Sequence, residues 1–106
     1  MPTFDDRKKG FETKFKHDQE TAFKTTARRN KLLGLWAAKQ MGLSGQAADD
    51  YAKSVVMADM EKPGDDDVLQ KVLTDLTGKG VDVTAHRIRT EMDSLLAEAR
   101  KQIIGQ

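Results

Sequence analysis

Few residues in this 106-residue chain have the types and spacing that could do chemistry. His17 and His86 are the two imidazoles, and there is no cysteine, so thiol chemistry and disulfides are excluded. A zinc site would have to combine both histidines with carboxylates, and neither has enough further ligands at the i, i+4 spacing of a helical metal site. Both therefore read as surface histidines, with no metal and no cofactor expected. His17 has the pKa range to tune its own segment near neutral pH. Asp49-Asp50 and Asp65-Asp66-Asp67 offer paired carboxylates, but adjacent helical residues point in different directions and do not share a site. Helix starts and solvated faces suit them better than acid–base work. Gly78-Lys79-Gly80 is too short for a phosphate loop and reads as a helix end plus a turn. With no nucleophile–base pair in view, the chain is not expected to be an enzyme.

The least ordinary stretch is Ala27-Arg28-Arg29-Asn30-Lys31-Leu32-Leu33-Gly34-Leu35-Trp36-Ala37-Ala38. Three cations precede a leucine run and the single Trp. One reading makes it a basic amphipathic helix for a membrane surface or a partner helix. The other puts Leu33, Trp36 and Ala37 in a helical core, with Arg28, Arg29 and Lys31 solvated or paired with acidic helices. Residues 21–48 hold Lys24, Arg28, Arg29, Lys31 and Lys39 without an acid, whereas Ser44 to Asp82 hold nine acids against four lysines. Packed antiparallel, these two regions would complement each other. The overall charge of +1 argues against a general nucleic-acid binder, although the basic block 24–39 keeps a nucleotide- or nucleic-acid-binding alternative in view.

The elements that position these residues are helices. Gly42-Leu-Ser-Gly45, Pro63-Gly64 and Gly78-Lys-Gly80 punctuate four segments of helical periodicity, none with an alternating strand pattern. The first runs from about Asp5 to Met41, with Thr3 or Asp5 to cap it. Phe4, Phe11, Phe15 and Ala22 form one stripe, and Leu33, Trp36, Ala37 and Met41 a second. The next segment starts near Ser44 and offers Ala48, Tyr51, Ala52, Val55 and Met60 to a core. A third opens with Asp65-Asp66-Asp67, buries Val68 or Leu69, Val72, Leu73 and Leu76, and ends at Gly78. The last begins after Asp82 or Thr84 and stacks Ile88, Met92, Leu95 or Leu96, Ala99 and Ile103. Short loops between such helices predict an antiparallel all-α four-helix bundle.

Length gives the sharpest expectation. At about 1.5 Å per residue the first helix would span about 55 Å, and its partners only about 18–30 Å. Its N-terminal part must then project or be flexible, offering Phe4, Phe11 and Phe15 to a partner groove, or else the helix breaks near Asn30 or Gly34 and folds back over those rings.

Several blocks in order resemble the zeta subunits of alphaproteobacterial F-type ATP synthases: Thr3-Phe4-Asp5-Asp6-Arg7, the Ala27–Ala38 stretch, Tyr51-Ala52-Lys53 followed by Pro63-Gly64, and Ala85-His86-Arg87-Ile88-Arg89. The resemblance spans essentially the whole length. It implies a regulatory subunit that inhibits ATP hydrolysis, with residues 1–18 as an inhibitory arm and 19–106 as the four-helix bundle. The arm would wedge into a catalytic interface of the rotary head beside the central shaft, in a mode similar to that of the mitochondrial inhibitor protein. Carried over by position, its contacts would be Phe4, Asp5, Asp6, Arg7, Phe11 and Phe15. Lys8-Lys9-Gly10 departs from the acids and alanine common in the family, and Gly10 lowers helix propensity by about 1 kcal/mol relative to Ala. A weak nucleotide contact stays open, while nucleic acid is not expected as a partner. The start MPTFDDRKKG has acids where a signal peptide would have an apolar core, and with no long apolar run this implies a cytoplasmic protein without direct membrane insertion; the resemblance adds association with the membrane-bound synthase.

Overall fold

The computed structural model describes the backbone of residues 4–105 and the side chains of residues 18–105. Four helices follow one another: α1 (Phe4–Gln40), α2 (Gly45–Glu61), α3 (Asp65–Gly78) and α4 (Ala85–Ile104). The described residues contain no strand. This is the all-α bundle the periodicity predicts. α1 is its spine, packed between α2 and α4, while α3 bridges those two and touches α1 near its amino end.

Local chemistry sets the helix ends. α1 closes with Gly42 at φ 79°, where Leu43 N–H donates to the Ala38 carbonyl at 2.8 Å. α3 closes the same way around Gly80 at φ 80°, with Val81 N–H on the Leu76 carbonyl at 3.0 Å. Both are Schellman-type ends, which need a residue that tolerates the left-handed region. Gly78 is thus the last helical residue of α3, and Gly80 makes the turn. Asp65, Asp66 and Asp67 fill the first turn of α3, where the helix dipole favours anions. Thr84 caps α4 by accepting from Arg87 N–H, whereas the Ser44 hydroxyl at the start of α2 makes no capping bond.

The core consists of Leu33 and Ala37 from α1, Val55 from α2, Val68, Leu69, Val72 and Leu76 from α3, and Ile88 and Met92 from α4. Trp36, Met41, Tyr51, Leu73 and Leu95 pack around it, half-buried. One apolar expectation is corrected: Met60 is 63% exposed, because α2 turns Ala52 and Val55 inward and carries Met60 on the face of Val56, beside Phe23 of α1.

α1 does not break. Its 37 residues run as one helix through Asn30 and Gly34, which removes the fold-back arrangement. Gly34 is instead a site where the backbones of α1 and α2 approach closely. A Cβ there would lie 2.5 Å from Ala52 Cα and 3.1 Å from Ala52 Cβ. A methyl group at residue 34 would push the two helices apart, so glycine here serves packing rather than bending.

Candidate partner-binding helix and its anchor

Phe4, Asp5, Asp6, Arg7, Phe11 and Phe15 fall on the first part of α1, and their side chains lie outside the described residues, as does His17. What the structure does describe is how the bundle holds the helix that carries them. Along α1, Thr25, Arg29, Leu33 and Ala37 form a buried row at four-residue spacing, with Asn30 and Ala38 beside it. The lower half of this row is apolar core. The upper half is polar, and every buried side-chain N or O among the described residues has a partner.

Arg29 and Asn30 form the centre of that polar part, only 3% and 1% exposed. Asn30 Oδ1 accepts from Arg29 Nε at 3.1 Å and from a terminal guanidinium nitrogen at 2.9 Å. That nitrogen also donates to Asp65 Oδ1 at 2.9 Å, while Asn30 Nδ2 donates to Asp59 Oδ2 at 2.9 Å. The other oxygen of Asp59 accepts from Gly64 N–H at 3.2 Å. Two adjacent residues of α1 thereby fix the end of α2, the Pro63-Gly64 turn and the start of α3. Higher on α1, the Thr25 hydroxyl donates to the Thr21 carbonyl at 2.8 Å, and Arg28 reaches α4 by donating to Gln102 Oε1 at 2.8 Å.

The predicted complementarity between the basic and acidic regions therefore reduces to one buried cation, Arg29, held by Asp65. The acidic triplet is divided among separate partners: Asp65 with Arg29, Asp66 with Arg89 at 2.8 Å, and Asp67 with Lys62 at 3.7 Å. Asp50 accepts from Gln46, and His86 is exposed at the start of α4. No group of three or more metal-ligating side chains occurs among the described residues. The leucine–tryptophan block is core: Leu33, Ala37 and Ala38 are buried, and Trp36 is half-buried with the Arg87 guanidinium 5.9 Å from the centre of its ring. No described helix is long and apolar enough to cross a membrane.

The sequence offered Arg29 as a partner of the acidic helices, which its pair with Asp65 bears out, but not its burial or the part of Asn30. The available signal was register: the two residues sit four and three positions before Leu33, on the same face as the core. A polar pair on an apolar stripe has to find partners inside the fold.

The family model of the ATPase inhibitor subunit zeta matches residues 1–102. The chain belongs to that family. A structure solved in solution by NMR superposes on it with a TM-score of 0.69 and 46% sequence identity, over 78% of this chain and 94% of that one. No curated protein matches. Membership of the zeta family gives the long first helix a context: the chain is related to inhibitors of an ATPase, and α1 is the element of its bundle that outruns the rest.

Proposed function

We propose that the chain inhibits ATP hydrolysis by an F-type ATP synthase by inserting residues 1–18 into a catalytic interface of the rotary head. Residues 19–106 are the bundle that carries this arm. One observation supports the reading above the others: the backbone of α1 is helical from Phe4 to Gln40, whereas its partners have 17, 14 and 20 residues. At about 1.5 Å per residue the partners span about 21–30 Å of a helix about 55 Å long. The first side chain of α1 buried among the described residues is Thr25.

Phe4, Phe11 and Phe15 are the apolar contacts in this reading, and Asp5, Asp6 and Arg7 the charged ones. Burying an aromatic ring that was in water gains roughly 1.5–3 kcal/mol, enough to offset ordering a short segment. The role is regulatory rather than enzymatic, and the protein works in association with the synthase. The alternative through the basic block 24–39 loses ground on the same structure. Arg29 is buried against Asp65, and Arg28 is half-buried against Gln102, which leaves Lys24, Lys31 and Lys39 as the exposed cations of that block.

The test is an ATP-hydrolysis assay on the purified rotary head of the cognate synthase. The full chain is expected to inhibit. A chain lacking residues 1–18 is expected to lose inhibition while keeping its helical spectrum. Full inhibition by the truncated chain would refute the wedge.

A further inference from the structure

Because α1 is one unbroken helix, the face on which it carries its phenylalanine positions is fixed relative to the bundle. At 3.6 residues per turn, about 18 residues make five turns. Positions 4, 11 and 15 therefore share azimuths with Ala22, Arg29 and Leu33, the residues five turns further on. Arg29 and Leu33 are buried, and Ala22 is exposed. The phenylalanine positions thus continue the face of α1 that the bundle covers, not the one it turns to solvent. α3 closes that face only as far as Arg29, which meets Asp65 at the start of α3.

Towards the arm the same face stays open. A cleft of about 320 Å³ lies there between α1 and the end of α4, lined by Ala22 and Thr25 from α1 and by Leu96 and Ile104 from α4, with Asp18 and Arg100 beside them. Ile104 is 66% exposed and Leu96 half-buried. One acid accompanies one base, so the cleft selects by shape and apolar contact rather than by charge. The Thr25 hydroxyl donates to the Thr21 carbonyl and makes no demand on a partner. Ala22 lies about 10 Å along the axis from position 15, so a surface laid against the arm reaches the cleft without turning a corner. Phe23, one residue on, is turned about 100° away, towards Val56 and Met60 of α2.

We infer that the enzyme surface that takes the arm continues onto the α1/α4 cleft, so that the bundle meets the enzyme with its α4 side and keeps α2 turned away. This rests on the inhibitory reading above for the identity of the partner, and on the register of α1 for the side. The occupant is the wall of the catalytic interface that lies along positions 4, 11 and 15, and it brings apolar side chains against Ala22, Leu96 and Ile104. The contact then draws on both ends of the chain, the arm and the last turns of α4.

The test titrates full-length variants against ATP hydrolysis by the cognate rotary head. Ala22→Glu/Ile104→Glu places two charges in the cleft, and Met57→Glu, on the α2 side, is the control for orientation. All three side chains are exposed, so circular dichroism should match the wild type. The cleft variant is expected to raise the half-inhibitory concentration about tenfold or more, and Met57→Glu to leave it unchanged. Maximal inhibition at saturation should stay at the wild-type level, because the arm is intact. A second variant tests the register itself: two alanines inserted between Gln19 and Glu20 turn the arm by about 200° relative to the bundle. The insertion precedes Thr25, the first buried side chain, so the melting temperature should hold while inhibition weakens by a similar factor. A cleft variant or an insertion variant that titrates like the wild type would overturn the inference and leave the wedge standing. So would a Met57→Glu chain that loses as much as the cleft variant. A wild-type chain that does not inhibit would remove the inhibitory reading and this inference with it. Self-association of the wild type that is lost in the cleft variant would assign the cleft to a second copy and overturn the inference.

Discussion

Asn30 is the residue on which the polar part of α1 depends, because it serves Arg29 on one side and Asp59 on the other. Truncation to alanine leaves a buried guanidinium short of an acceptor and Asp59 short of a donor. Unpaired buried groups cost about 1–3 kcal/mol each, so Asn30→Ala is expected to lower stability by about 2 kcal/mol or more in urea denaturation. Asp65→Asn should cost less, about 1 kcal/mol, since the Asp65 side chain is 58% exposed and water can replace part of its contact. A second residue gives the protein an alkaline limit. The Tyr51 hydroxyl donates to Asp75 Oδ2 at 2.8 Å, with Lys71 Nζ 5.5 Å from the ring centre. Burial, then the hydrogen bond to Asp75, then the Asp75 charge hold the phenol protonated well above its ordinary pKa near 10. The unfolded chain ionises first, so the stabilisation is complete below pH 10 and declines as pH rises past it. Tyr51 is the single tyrosine, so its tyrosinate absorbance should appear only as the protein unfolds. Tyr51→Phe should flatten the fall in stability above pH 10.

At the scale of the helices, Gly34 is the position where a small change should matter most. Gly34→Ala would gain up to about 1 kcal/mol of helix propensity. The new methyl group would also lie 2.5 Å from the backbone of Ala52, a contact that no side-chain rotation relieves. Overpacking of this kind costs about 1–3 kcal/mol, and a lower melting temperature is expected despite the better helix former. The same element shows what could be read in advance. The four helices and their ends were legible because local chemistry sets them: glycines that tolerate left-handed backbone, an aspartate triplet on a positive helix end, a threonine cap. Met60, Arg29 and Gly34 were not legible. An exposed methionine, a buried arginine and a glycine inside a helix each depend on which neighbouring helix lies across from them, and no local pattern carries that. Of the candidate contacts, the sequence offered the phenylalanine spacing of the arm. The depression lined by Phe23, Val56 and Met60 needed two helices side by side before it could be seen.

For the whole molecule, the division of labour along α1 has a direct consequence for stability. The residues that form the core and the polar anchor all lie between Thr25 and Ala99. Removing residues 1–18 should therefore leave the melting temperature of the bundle within a few degrees of the full chain, by thermal denaturation followed in circular dichroism. A large fall would mean that the arm packs on the bundle. The molecule measures 65 Å along its longest axis against 25 and 22 Å across, as expected for a short bundle on one long helix.

That proportion makes α1 a cantilever. From Phe4 to Thr25 the helix extends about 32 Å beyond its first buried side chain, and a beam fixed at one end is strained most at the point of fixation. Any force applied to the tip by a partner would arrive as a bending moment at Thr25–Asn30. Sliding apolar contacts resist such a moment poorly, whereas directional bonds to three separate elements resist it well. The Arg29–Asn30 cluster stands at the root of the beam, with bonds to the end of α2 and the start of α3, and Arg28 beside it braces against α4.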